Sequence, residues 1–448
     1  MLRWRQLLLW PLCIITSLLL TGCMFRASFE ELYEVPRLPN EYTALREQID
    51  TILSNGAEYA APTSGTNIQS VQLVDLDGDG VEEAVAFFRN NSEEKPLKIY
   101  IFQEIEDSYE QVALVEGSGT SIHSISYIDM DNDGVQELII GWRINTEVQA
   151  LGVYSVRNFE AELLMEGLYT QYEALDFDGD GKQEIVLLRS SDSTGEPVAE
   201  YYDWDNQLLQ LHSFARLSMT MAELDRMDTG YLRDGEVALF VTGVSEDTRA
   251  ITDILTFHQD TITNIVRNDV TGVSSEIFRY IDLQPQDIDG DGVTEVPMPE
   301  QIPSSSGVRD DTYWQVVWRN YNVKGQGEVA ATTYHNNSDG WYLLLPEEWD
   351  RRIAVRQFYG TDERGIVFSV IGEDETSFQD FLGIYTITGS SREYKATRNN
   401  RFVLKREVDT IYAAAFLDGN DGWQYAIDQE ELNQRFRLIV REWDLEEN

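Results

Sequence analysis

The sequence is poor in cysteine, histidine, proline and positive charge. Two cysteines in 448 residues cannot build a disulfide framework, so the fold rests on its core and on any ions it binds. The four histidines, His123, His212, His258 and His335, sit in or beside four different predicted strands, at spacings that suit no zinc site. Only 11 prolines interrupt the chain, and 42% of its residues are hydrophobic, so a large packed core is expected. Lys and Arg number 34 against 79 Asp and Glu, a formal charge of -45. A surface of that sign repels nucleic acid, and no nucleic-acid partner is expected. The chain also lacks a G-x-S-x-G elbow, a P-loop and a dinucleotide fingerprint, and so offers no motif for those chemistries.

The first residues have a basic flank, Arg3 and Arg5, then the apolar LLLWPLCIITSLLL, then Leu20-Thr21-Gly22-Cys23. The apolar run is short for a comfortable membrane span. This stretch resembles a bacterial lipoprotein signal peptide, in which Leu-x-Gly-Cys marks cleavage before the cysteine. The resemblance implies a signal at 1–22, lipid attachment at Cys23, and an extracytoplasmic, membrane-anchored protein. Cleavage would remove two arginines and Cys13, taking the charge from -45 to -47 and leaving no free thiol.

What is abundant is acid, and it is patterned. Four segments read DLDGDGVEE, DMDNDGVQE, DFDGDGKQE and DIDGDGVTE, starting at Asp75, Asp129, Asp176 and Asp287. Each has Asp at positions 1, 3 and 5, Gly at 6 and Glu at 9. In the first these are Asp75, Asp77, Asp79 and Glu83, with the carbonyl of Val81 at position 7. The second supplies Asp129, Asp131, Asp133, Val135 and Glu137. The third supplies Asp176, Asp178, Asp180, Lys182 and Glu184, and the fourth Asp287, Asp289, Asp291, Val293 and Glu295. Alternate carboxylates on a loop that turns at glycine converge, and carboxylates so close repel one another unless a cation lies among them. About six oxygens from flexible ligands suit Ca2+ better than Mg2+, so about four calcium ions are expected. An EF-hand is excluded, because position 12 is Ala86, Ile140, Leu187 or Met298 and the flanks alternate or run apolar as strands do. Plain solvated Asp-Gly turns are the alternative.

The motif DxDxDGxxE between strands, recurring about every 50 residues, resembles the FG-GAP/VCBS-type repeats of calcium-bearing β-propellers. No clear FG-GAP dipeptide pair accompanies the copies. The resemblance implies one repeat per blade, with an ion in each rim loop. A further copy is expected at Leu224–Val241, its loop counted from Asp225, having lost the regular acids and gained Arg226 and Arg233.

The expected fold class is mainly β: a propeller of about five blades over 69–337, plus an α+β domain at 338–448. A row of separate sheets or an open solenoid is the other arrangement. A tether at 23–37 and a lead-in at 38–68 precede the blades, the lead-in holding an amphipathic helix closed by Gly56. In the fifth blade Pro297 and Pro299 interrupt the ladder pattern. The C-terminal part resembles small PsbP-like domains, with a short helix expected at Asp374–Phe381 and a terminal helix capped by Asp428. Trp142, Trp204, Trp314, Trp318 and Trp341 read as core more than as a sugar platform. The functional expectation is a non-catalytic binding or scaffolding module at the cell envelope, with an envelope protein or glycan as partner. An extracytoplasmic enzyme acting on polysaccharide from a central channel is the alternative.

Overall fold

The computed structural model describes residues 42–439, apart from 107, 158–159, 191–194, 219–220, 246, 280–282 and 308–311. The signal, Cys23 and the tether lie outside the described residues, as does the end of the chain from 440. No helix among the described residues is long and apolar enough to cross a membrane.

The architecture is mainly β, with small helices. Six antiparallel sheets of four or five strands follow one another along the chain. The second is a plain meander of Ser121–Ile128, Glu137–Arg143, Gln149–Arg157 and Glu160–Tyr169. The third repeats it with Gln171–Leu175, Glu184–Arg189, Val198–Asp205 and Leu208–Arg216. The first has the same core of Val71–Val74, Glu83–Arg89, Leu97–Ile105 and Ser108–Gly117, with Glu58–Tyr59 sharing the outer edge.

In these three sheets the strand after each acidic loop is buried along nearly its whole length. Successive side chains point to opposite faces, and both faces are covered. Val85 and Phe87 pack with Leu138 and Ile140 of the next sheet, whose Ile139 packs with Ile185 and Leu187 of the third. Val186 and Leu188 then meet Leu239 and Val241 of the fourth sheet. Ala238 and Phe240 meet Val296 and Tyr321 of the fifth, and Trp341 and Leu343 meet Phe368 and Phe381 of the sixth. The continuous apolar runs are thus the product of sheets stacked front to back.

The two end faces are closed by helices. Thr43–Ser54 lays Leu45 and Ile49 on Ala84, Ala86 and Phe88, the outward-facing residues of the first sheet. Gly56, at φ +90°, ends it as expected, its N–H bonding Leu53 O at 3.0 Å. On the sixth sheet Ala396 of Arg392–Thr397 packs on Tyr385, Ile387 and Ala413. Among the described residues no hydrophobic cluster joins the first sheet to the fifth or sixth.

Several expectations change. Met221–Tyr231 runs as one strand with a bulge at Asp225, so no loop begins there. The turn of that copy is the short Leu232–Glu236, closed by Leu232 N–H to Glu236 O at 2.8 Å. Glu276–Arg279 pairs with Arg249–Phe257 of the fourth sheet. Among the described residues before the fourth acidic loop, Gln286 and Glu295 form an isolated bridge. Val296–Ile302 is therefore an edge strand, which is where Pro297 and Pro299 cost no ladder bond.

The fifth sheet continues past residue 337. Trp341–Leu344 pairs with Gly327–Asn336, and Phe436–Leu438 from the far end of the chain adds the last strand. The expected terminal helix keeps its Asp428 cap, bonded by Glu431 N–H at 3.0 Å, but spans only Gln429–Arg435. The strand pairing of Phe436 with Leu343 takes over from there. The expected helix at Asp374–Phe381 is instead a turn, because Asp374 accepts from the N–H groups of Thr376 and Ser377. Strand Phe378–Ile387 follows it in the sixth sheet.

Candidate metal centres

Each of the four acidic loops is wound by the same set of hydrogen bonds. The first aspartate accepts from the loop with both oxygens: Gly78 and Gly80 on Asp75, Asp133 and Gly134 on Asp129, Gly179 and Gly181 on Asp176, Gly290 and Gly292 on Asp287, all at 2.7–3.1 Å. The position-6 glycines Gly80, Gly134, Gly181 and Gly292 hold φ between +87° and +92°, a turn that a side chain would strain. Asp79, Asp133, Asp180 and Asp291 accept the N–H of Val81, Val135, Lys182 and Val293 at 2.7–2.9 Å, tying position 7 to position 5.

The winding converges the carboxylates. Oxygens of Asp75, Asp77 and Glu83 lie within 4.8 Å of one another, as do those of Asp129, Asp131 and Glu137, and of Asp176, Asp178 and Glu184. In the fourth loop the converging set is Asp287, Asp289 and Asp291. Asp79, Asp133, Asp180 and Glu295 stand beside these sets.

Position 2 was not marked by the sequence reading, yet it anchors every loop. Leu76, Met130, Phe177 and Ile288 are buried as plugs among the apolar side chains below. Their N–H groups donate to the far glutamate, Glu83, Glu137, Glu184 or Glu295, at 2.8–3.1 Å. Leu232 is the corresponding plug of the shortened copy. Consecutive loops are also stitched together: Gln136 N–H donates to Leu76 O, and Gln183 N–H to Met130 O, each at 2.7 Å. An apolar residue between the first two aspartates of every copy was the available signal.

The ninth-position glutamates are buried, with Glu184 and Glu295 at 0% exposure and Glu83 at 3%. One oxygen of each holds the plug's N–H. The other, Oε1 of Glu83, Glu184 and Glu295, is buried without a hydrogen-bond partner. Burial, with neighbouring aspartates adding to it, pushes Glu184 up to about 8 and Glu295 to about 7. Glu83 and Glu137 are raised for the same first reason. Asp203 adds a further negative charge to the third loop. A buried carboxylate oxygen with no donor, facing two aspartates, is a fit for a hard cation. The residues that would hold it are Asp at positions 1 and 3 and Glu at position 9 in the first three loops, and Asp287, Asp289 and Asp291 in the fourth.

Elsewhere, the first strands of the second, third and fourth sheets border a polar cleft of about 460 Å³, lined by His123, Tyr169, Tyr172, Glu173 and Met227. Segment 60–67 runs along it, with Ser64 N–H on His123 O at 2.8 Å. Burial, then the charge of Asp228, raises Glu173. Trp142, Trp318 and Trp341 are buried in sheet cores, as expected. His335 is stacked on Tyr342 at 4.9 Å, and burial pushes it down to about 4.

No protein-family model matches the chain, and no curated protein matches it. Solved structures that resemble it do so weakly. A Bacillus licheniformis rhamnogalacturonan lyase has 12% identity and a TM-score of 0.28, covering 72% of each chain. The Dos1 propeller has 8% identity and a TM-score of 0.28, covering 80% of this chain and 81% of that one. TolB from Acinetobacter baumannii has 11% identity and a TM-score of 0.24, covering 67% and 63%.

Proposed function

We propose that this chain is a calcium-binding, non-catalytic binding or scaffolding protein in which ions lock consecutive β-sheets together. The observation that carries the reading is the partnerless buried oxygen of Glu83, Glu184 and Glu295, each beside the aspartates of its own loop. A bound Ca2+ supplies the positive charge that these oxygens lack. Because each glutamate opens a buried strand and each plug reaches the core, fixing the loop also fixes the sheet below it. Sites of this kind on extracellular modules commonly bind at about 10⁻⁴–10⁻³ M, which fits an extracytoplasmic setting. Anchorage through lipidated Cys23, blades arranged as in FG-GAP/VCBS-type propellers, and an envelope protein or glycan as partner belong to the same proposal. The test is equilibrium dialysis against buffer with several-millimolar calcium: the protein should bind a stoichiometric amount, and Glu184→Gln should bind one equivalent less.

A second reading, a polysaccharide-active enzyme, is favoured by one observation. The cleft gathers Glu173, His123, Tyr169 and Tyr172, an acid–base set beside an open polar groove. Glu173→Gln separates the readings. It should leave glycan binding intact in a scaffold and abolish turnover in an enzyme.

A further inference from the structure

The second acidic loop differs from the others in carrying its own cation. Arg157 ends the strand Gln149–Arg157 and reaches back over the loop. Its Nη2 lies 2.8 Å from Asp133 Oδ2, 3.1 Å from Asp131 Oδ2 and 3.5 Å from Glu137 Oε1. Its Nε donates to Ser155 Oγ at 2.9 Å, and that hydroxyl donates to the same Glu137 Oε1 at 3.1 Å. Glu137 Oε1, the counterpart of the partnerless oxygen in the other three loops, is thus doubly partnered. Asp131 Oδ1 is the one oxygen of this set left buried without a donor.

The other loops are not built this way. Among the described residues no ion pair joins a basic side chain to the acids of the first, third or fourth loop. Lys182, which belongs to the third loop, is held 5.5 Å over the ring of Trp204 instead. In the first loop the neighbouring strand offers only the neutral Gln103, 3.5 Å from Asp77. A guanidinium is weakly hydrated and gives up little on leaving water, and it is tethered, so it competes with a free divalent ion at high effective concentration.

We propose that Arg157 occupies the second loop in place of calcium, so that the protein binds three ions and keeps this loop closed without metal. The inference rests on the calcium reading of the loops. It makes the second loop, in the middle of the first three sheets, a calcium-independent clamp between two calcium-dependent ones.

The test counts calcium per chain by elemental analysis and by calorimetric titration, with the full protein and with Arg157→Gln. Three ions in the wild type and four in Arg157→Gln is the expected result. Asp131→Asn should leave the wild-type count at three, whereas Asp77→Asn should lower it to two. In EDTA, Arg157→Gln should also melt below the wild type, having lost its internal cation. Four ions in the wild type would overturn the inference and leave the calcium reading standing, a result that needs no variant to fold. Three ions in a folded Arg157→Gln would overturn it equally. No ion in either protein would remove the calcium reading and this inference with it.

Discussion

Glu184 shows how one residue sets the behaviour of a loop. Its carboxyl is raised to about 8 in the folded chain, against about 4.5 when exposed. A raised carboxyl contributes stability that is fully present below the unfolded value and is lost as pH rises through the folded one. The calcium-free protein should therefore lose stability between about pH 4.5 and 8, and Glu295, raised to about 7, acts in the same direction. Calcium takes the ionised form, so binding at the third and fourth loops releases protons. Their affinity should weaken on acidification from pH 8 to 6, by up to about tenfold per unit for each proton released. Titration calorimetry in buffers of different ionisation heat reads that proton count. Glu184→Gln keeps an acceptor for Phe177 N–H but removes the charge. In EDTA at pH 9 it should melt a few degrees above the wild type, since roughly 1–2 kcal/mol of charge burial is relieved. At pH 4 the two curves should coincide.

At the scale of elements, the helix Thr43–Ser54 is what makes the first sheet's outer face tolerable in water. Ile49, 1% exposed, packs on that face. Ile49→Ala should cost about 2–4 kcal/mol, measured by urea unfolding, with calcium stoichiometry unchanged. This helix and its Gly56 stop were readable because amphipathic spacing and a terminal glycine are local signals. The loops were readable for a related reason: three alternating aspartates, a glycine and a glutamate carry both the turn and the ligands within nine residues. What stayed hidden was decided by distant partners. The strand Phe436–Leu438 exists because Trp341–Leu344 offers it an edge almost 100 residues earlier in the chain. The count from Asp225 failed because the strand bulges there and runs on to Tyr231, and the turn is at Leu232–Glu236. Arg157 lies 20 residues beyond Glu137, and only the register of the third strand brings it back over the loop.

Among the described residues, the six sheets of four or five strands form a series, each sharing a core with the next and with a helix over each end face. In such a series stability is close to a sum of unit and interface contributions, so an ion that fixes one loop supports the interfaces on both sides. The stitches Gln136 to Leu76 and Gln183 to Met130 carry that support between loops. Each ion present at a hundredfold excess over its Kd adds about 2.7 kcal/mol to the folded state. The central claim, that the acidic loops are calcium cages which hold the sheets, is tested most directly by melting the protein before and after metal is stripped and verified absent. The Tm should be lower by more than about 5 °C without metal, restored by calcium and not by an equal concentration of magnesium. Superimposable melting curves with and without calcium would contradict it.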